Sequence, residues 1–473
     1  MKRKTITSAA AVAVAMLTLC LPTGYAAEKA PNRPPLAKAP PEGWSFPTAT
    51  LQPLPASAEL LLAPAAATGD YDVAKTPPGI RFSVLPGQWP GASLWSAWGD
   101  ALFASDTNFY CSIGDHAAPH GFAYVYQVNG KSGAVKMIAD VNRLLELPAA
   151  DYAPGKIHAP LMEFDGGLYF AGYRGGKGVD DAHHYTGDAL IRWQLADGAT
   201  ERFDPPAPYC SIAASAIYAP QKMLYGVGPG GARRDGKSVF FAYDIEARQT
   251  VYCGDPQPDA TRAIIVAPDG RVYYSSGFEA ERLARGNQLA QSGQPSRFAR
   301  YDPKSRQAKL TDIVVPGRML RAASRCNAEG VATCITWDGI LFTFDTRTEQ
   351  TRTLGKTSDA GPAYTAVCKL SPNGRYLYYM PGAHGGADGV GCPVIQFDTR
   401  TNRRKVLAFL FDSLKKQMNY FSGGSFGLDI SADGATLGIC INGRQLDQTR
   451  SAQGSDSFDQ VAVILLDIPE SER

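Results

Sequence analysis

The chain is expected to fold as an all-β, seven-bladed β-propeller of four-stranded antiparallel blades, its ring closed by an N-terminal strand. Two observations point there: one local pattern recurs seven times, and helical periodicity is nearly absent. The pattern is an aromatic or apolar strand end, often an Asp, a turn, then a polar strand. Its copies are YQVNGKSGAVKM, WQLADGATERF, YDIEARQTVY, YDPKSRQAKL, FDTRTEQTRTL, FDTRTNRRKVL and the terminal LLDIPESER. They begin at Tyr126, Trp193, Tyr243, Tyr301, Phe344, Phe397 and Leu466, at an average interval of about 57 residues. Kelch-type blades repeat at ~50 residues, so seven copies mean seven blades.

A second motif lies upstream in most copies: apolar strand, tight turn, apolar strand. LMEFDGGLYFAG, IIVAPDGRVYYSS, CKLSPNGRYLYYM and LDISADGATLGIC show it. The DG and NG pairs supply the positive φ that two-residue hairpins need. Each blade therefore reads strand 1, DG turn, strand 2, variable loop, strand 3, Asp turn, strand 4. The last copy stops at Arg473, too early for a fourth strand. A propeller must close its ring to hide its edges, so Ile80–Leu85 is expected to complete blade 7. Helical patterning is confined to Val141–Leu147, Glu279–Gln291 and Ser413–Met418.

Residues 1–26 carry Met1-Lys2-Arg3-Lys4, an apolar run from Ala9 to Leu21, and Gly24-Tyr25-Ala26. A basic start, a short apolar run and a small-x-small site make a secretory signal peptide, so the mature chain is expected to be secreted. The apolar run is too short to span a bilayer, and no later run is longer. Residues 27–70 are rich in Pro and Ala and read as an extended tether, leaving 71–473 for the propeller. The formal charge is +2, and losing the three cations of the signal leaves about −1. That balance excludes nucleic-acid binding through a concentrated basic face. A monomer is expected.

Strand 1 of each propeller blade lines the central channel, and the loops between strands 2 and 3 open on one face with the start of strand 1. All six histidines map to that face. His116 and His120 fall in the blade 1 loop, His158 opens blade 2, His183 and His184 lie in the blade 2 loop, and His384 lies in the blade 6 loop. Tyr209 opens blade 3, with Tyr185 competing for its role. Arg233 and Arg234 lie in the blade 3 loop, and Arg262 opens blade 4. An Arg fork matches a carboxylate bidentately, while His and Tyr move protons. That set suits β-elimination on a uronate: the carboxylate is neutralised, a base takes the C5 proton, and an acid protonates the departing O4. Hydrolysis would more usually present two facing carboxylates, and no such pair stands at matching positions.

The runs GKIHAPLMEFDGGLYFAGY, LSPNGRYLYYMPGAHGG and GCPVIQFDTRTNRRKVLAFL resemble the secreted seven-bladed polysaccharide lyases, ulvan lyases and rhamnosyl-glucuronate lyases among them. The resemblance implies His158 as base, His183 or His184 as a second histidine, Tyr209 as acid and Arg234 on the carboxylate. His120, Arg233, Tyr185 and Arg262 complete the expected substrate contacts. An acidic polysaccharide is the implied partner. The alternative is a non-catalytic propeller binding glycan or protein through its loop face, since propellers host many functions. A lactonase would want an acidic metal site at the channel mouth and a quinoprotein a periodic tryptophan repeat; neither can be assembled.

Eight cysteines remain after Cys20 leaves with the signal. Cys326 and Cys334 flank a turn (RCNAEGVATC) symmetrically about Gly330 and are expected opposite each other on a hairpin, while Cys392 closes the loop carrying His384. A structural zinc held by Cys326, Cys334, His384 and Cys392 fits these residues, and the resembling lyases carry one. A Cys326–Cys334 disulfide or buried free thiols fit them too. Cys111, Cys210, Cys253 and Cys440 read as small core residues. No organic cofactor is expected. Trp95, Trp98, Trp193 and Trp337 are expected to pack between blades, with sugar stacking the alternative for Trp95 or Trp98.

Overall fold

Alternating apolar residues on short strands, each pair joined by a Gly, Asn or Asp turn, build seven antiparallel sheets. The computed structural model describes residues 47–473 apart from 68, 70, 89–93, 149–150, 174–182, 235, 278–295, 360 and 452–453. Blades 1 to 6 start at strands Leu102–Phe103, Met162–Phe164, Ala214–Tyr218, Ile265–Val266, Leu320–Ala323 and Cys368–Leu370. Blade 7 starts at Tyr420–Ile430. The seven repeat copies all sit at the ends of third strands, where Asp side chains accept backbone N–H groups in the turn, as Asp345 does from Arg347 and Thr348.

Ring closure is as expected. Gly79–Val84 pairs antiparallel with Gln460–Asp467, setting Ile80 opposite Leu466 and Phe82 opposite Ile464. Residues upstream of this strand, two segments of them within the lead-in read as a tether, add to the outer edges of blades. Thr48–Thr50 adds to the outer edge of blade 1, Gln52–Leu54 to blade 7, and Tyr71–Val73 runs parallel to the outer strand of blade 6. Three blades are therefore five-stranded.

The turns are more varied than two-residue hairpins. Only Asp165–Gly166 has that form, with φ of 49° and 65° and Phe164 paired to Gly167. The turns at Gly270, Gly374 and Gly434 span three or four residues and spend their single left-handed position on the glycine. Two of the helical readings are found, at Val141–Leu145 and Phe411–Met418; Glu279–Gln291 lies outside the described residues.

Seven apolar clusters form the core, one at each blade interface. Aromatic rings fill them: Phe298 of blade 4 stacks on Phe344 of blade 5 at 4.5 Å. Each such ring removes a large apolar area from water. Trp95 and Trp193 pack here as expected.

Candidate functional site at the channel mouth

Side chains on or just before the innermost strands of six blades converge. Blade 1 contributes Trp98, blade 2 Lys156 and His158, blade 4 Arg262, blade 5 Arg321, blade 6 Tyr364 and blade 7 Phe426. Blade 3 contributes the Ala213 carbonyl, which accepts a hydrogen bond from His158 Nδ1 at 2.7 Å. Loops between second and third strands add His116, Tyr173, Trp337, His384 and Phe458.

Backbone contacts hold the blade 2 segment in place. His116 N–H donates to the Gly155 carbonyl at 2.9 Å, and Tyr173 N–H donates to the Lys156 carbonyl at 2.8 Å. Gly114 makes the close approach feasible: a Cβ there would fall 2.5 Å from the Lys156 Cα and closer still to the Gly155 carbonyl oxygen.

The rings form a continuous wall. His158 stacks on Tyr173 at 4.6 Å, Trp98 on Phe458 at 5.4 Å, and His384 on Tyr364 at 4.1 Å. Trp337 meets His384 at 5.8 Å and Tyr364 at 4.8 Å. Trp98 and Trp337 are partly exposed yet pack on neighbouring blades as expected, Trp98 against Phe426 and Phe458 of blade 7 and Trp337 against Tyr364 and His384 of blade 6.

Three cations enter this wall. Lys156 is 7 % exposed, Arg262 9 % and Arg321 4 %. Lys156 Nζ lies 3.2 Å from His116 Nε2 and over the rings of Trp98 (4.8 Å) and Tyr173 (4.9 Å). The Arg262 guanidinium lies 5.1 Å from the Phe426 ring, and Arg321 lies 4.8 Å from Trp337 and 5.1 Å from Tyr364. Each arginine donates to a backbone carbonyl, that of His158 from Arg262 and that of Ala260 from Arg321. Arg262 Nη1 and Arg321 Nε have no hydrogen-bond partner. Among the described residues no carboxylate forms an ion pair with any of the three.

Lys369 makes the contrast plain. It projects from the blade 6 inner strand onto Asp100 at 2.9 Å and Asp429 at 3.9 Å, from blades 1 and 7. Asp429 also accepts from the Phe103 N–H, and Asp100 from the Leu428 N–H. That cation is compensated and ties the closing blades together, so its ammonium is held above the usual lysine range by Asp100 and Asp429 despite burial. Lys156 has no such partner, and burial followed by repulsion from Arg262 and Arg321 pushes it down to about 7. Burial and Arg321 likewise lower Arg262 to about 9.

The imidazoles are neutral for the same reasons. Burial, then the charges of Arg262, Lys156 and Arg321, holds His158 well below 6.5. Its Nδ1 hydrogen points at the Ala213 carbonyl, which leaves Nε2 as the unprotonated nitrogen. His384 is lowered to about 4 by burial of its caged face and by Arg321, Arg262 and Lys156, although the residue keeps solvent access.

Of the residues singled out from sequence, His158 and Arg262 belong to this cluster. The others divide. His120 and His183 pack ring to ring at 5.2 Å, and His184 Nδ1 meets Asp151 at 2.7 Å on the open surface. Tyr209 lies beneath Arg233, whose Nη1 donates to its hydroxyl at 3.0 Å. Arg234 donates to the Pro208 carbonyl and to Cys253 Sγ, so its fork is spent on the loop. Tyr185 is buried, donating to Asp188 at 2.9 Å. In this structure Tyr209 and Arg234 both make their contacts within the blade 3 loop and its neighbouring strand.

The four residues expected around zinc stand apart. Cys334 is buried between blades 4 and 5, opposite Ala323 rather than Cys326, because the turn tightens at Asn327. Cys392 is buried between blades 6 and 7, with Sγ 3.1 Å from the Ser422 carbonyl, and His384 is in the channel wall. Among the described residues no group of three or more His, Cys, Asp or Glu is placed to hold a metal. The eight cysteines among the described residues are free thiols, so the Cys326–Cys334 disulfide is not formed. Cys111, Cys210 and Cys440 are core residues as expected, while Cys253 is partly exposed.

Sequence reasoning missed Lys156, Arg321, Tyr173, Tyr364 and Phe426. For Lys156, Arg321, Tyr364 and Phe426 the signal was present, since each lies on or just before an innermost strand, but the repeat was aligned on third strands and left the inner strands unaligned.

No family model matches the chain, and no curated protein matches it. Solved structures do. The structure of U3-55K superposes with a TM-score of 0.50 and 9 % identity, covering 81 % of this chain and 98 % of that one. The RRP9 WD40 repeats superpose with a TM-score of 0.50 and 10 % identity, covering 86 % of this chain and all of the other. The likeness is one of fold alone. The resemblance to secreted lyases therefore rests on the quoted motifs. No helix among the described residues is long and apolar enough to cross a membrane.

Proposed function

We propose that the protein is a polysaccharide lyase that eliminates across uronic-acid linkages at the loop-face mouth of the channel, acting outside the cytoplasm on an acidic polysaccharide. One observation carries the reading: three buried cations without a carboxylate partner surround a neutral imidazole. Burying unpaired charge is costly, so such a cluster is a site made for an anion that arrives from outside. Arg262 and Arg321, which no carboxylate among the described residues compensates, would neutralise the uronate carboxylate by their charge. Neutralisation makes the C5 proton removable, and His158 Nε2 is free to accept it. Trp98, Trp337 and Tyr364 are partly exposed and would line the mouth with aromatic surface against which a sugar chain can rest.

The test is ultraviolet absorbance of the unsaturated uronate that elimination creates. Mature protein is incubated with ulvan, gum arabic, pectin and glycosaminoglycans, beside His158→Ala. A rise on one polymer that disappears in the variant supports the lyase. Flat traces on all four, with polymer binding retained, would leave a glycan-binding propeller instead.

A further inference from the structure

We propose that Lys156 is the proton donor of this elimination, passing a proton from Nζ to the departing O4 of the leaving sugar. The inference rests on the lyase reading above and gives the acid role to Lys156 in place of Tyr209, whose hydroxyl accepts from Arg233 in the blade 3 loop.

The geometry argues it. Lys156 and His158 stand two residues apart on the segment that opens blade 2, and both lie against Tyr173, the His158 ring stacked at 4.6 Å and Nζ at 4.9 Å from the ring centre. Two proton-carrying groups therefore lie against one ring, and elimination needs two, one to remove the proton at C5 and one to supply a proton at O4. The ammonium is held without any carboxylate, over Trp98 and Tyr173 and 3.2 Å from His116 Nε2. The other charged or titratable groups facing it are Arg262, Arg321, His158 and His384. Every cation among them makes Lys156 readier to release a proton, and its acidity is tuned close to neutral pH, where a general acid is most effective.

The step balances. His158 Nε2 takes the C5 proton, the C5–H electron pair becomes the C4–C5 double bond, and the C4–O4 bond breaks. O4 takes a proton from Lys156 Nζ, which is left as the neutral amine. His158 ends protonated, and the pair resets by losing that proton to solvent and regaining one at Nζ. No oxidant or metal is consumed.

The test uses the full mature protein and the uronate polymer it cleaves. Lys156→Met is expected to lower kcat by about 100-fold or more with KM little changed, and the parent's rate is expected to fall as pH rises above about 7. Independently of activity, pH-dependent acylation of the ligand-free parent, read at Lys156 by mass spectrometry, is expected to show a midpoint near 7. A midpoint at the ordinary lysine value of about 10.4 overturns the inference, whatever the variant does. So does an active parent whose Lys156→Met variant keeps both its rate and its pH profile. A parent inactive on every uronate polymer overturns the lyase reading and this inference together.

Discussion

Replacing Lys156 by Met should make the protein more stable, by an amount that depends on pH. Lys156 is buried, and its amine is pushed from 10.5 down to about 7. A lowered lysine pKa means the folded state disfavours the charged form. The penalty is fully present below about 7, where both folded and unfolded chains carry the proton. It fades as pH rises from about 7 to 10.5, where only the unfolded chain holds it. At ~1.4 kcal/mol per pH unit the full gap corresponds to ~5 kcal/mol. Met forfeits the contact with His116 and the two cation–ring contacts, together ~2–3 kcal/mol. The variant should therefore gain about 2 kcal/mol at pH 6, and the gain should shrink at pH 9. Paired denaturant unfolding at 25 °C, at both pH values, measures it. A variant less stable than the parent at pH 6, or a difference that ignores pH, would refute the claim that this cation lacks a counter-ion.

Three other outcomes follow from the same geometry. Lys369→Met should destabilise the ring by about 3–5 kcal/mol, because it strands Asp100 and Asp429 as unpaired buried charges; thermal unfolding reads it. Gly114→Ala should leave the blades folded yet abolish turnover, since its Cβ drives the Lys156 segment off the wall; circular dichroism beside the absorbance assay separates the two effects. Because His158 is held well below 6.5, its neutral base form should persist on acidification. The rate–pH profile should then show no fall between pH 7 and 6, and a fall centred near 6.5 would assign the base to an unperturbed histidine.

The fold was legible because its signals are local and repeated. Asp- or Asn-capped turns and third-strand ends that are aromatic or apolar recur from blade to blade, DG and NG glycines recur in most, and the missing fourth strand of blade 7 named its own replacement at Ile80. What failed was placement within a blade. His158 and Arg262 were found because strand starts face the channel. Lys156 and Arg321 were passed over because a lone Lys or Arg near a strand usually reads as surface, and only seven-fold convergence turns them inward. Tyr209 and Arg234 stand at the right ends of their blade but turn onto each other's loop, which no strand pattern encodes. The cysteines misled for a related reason: symmetry about Gly330 says nothing of where the turn tightens, and Asn327 closes it earlier by accepting the Val331 N–H.

The measurement that bears most directly on the account is the mass of the oligosaccharides released from a uronate-containing polysaccharide. Elimination yields products one water lighter than hydrolysis, each ending in an unsaturated uronate. The account predicts those lighter masses from the parent protein and none from His158→Ala. Products of hydrolytic mass, or lighter products from both proteins alike, would contradict it.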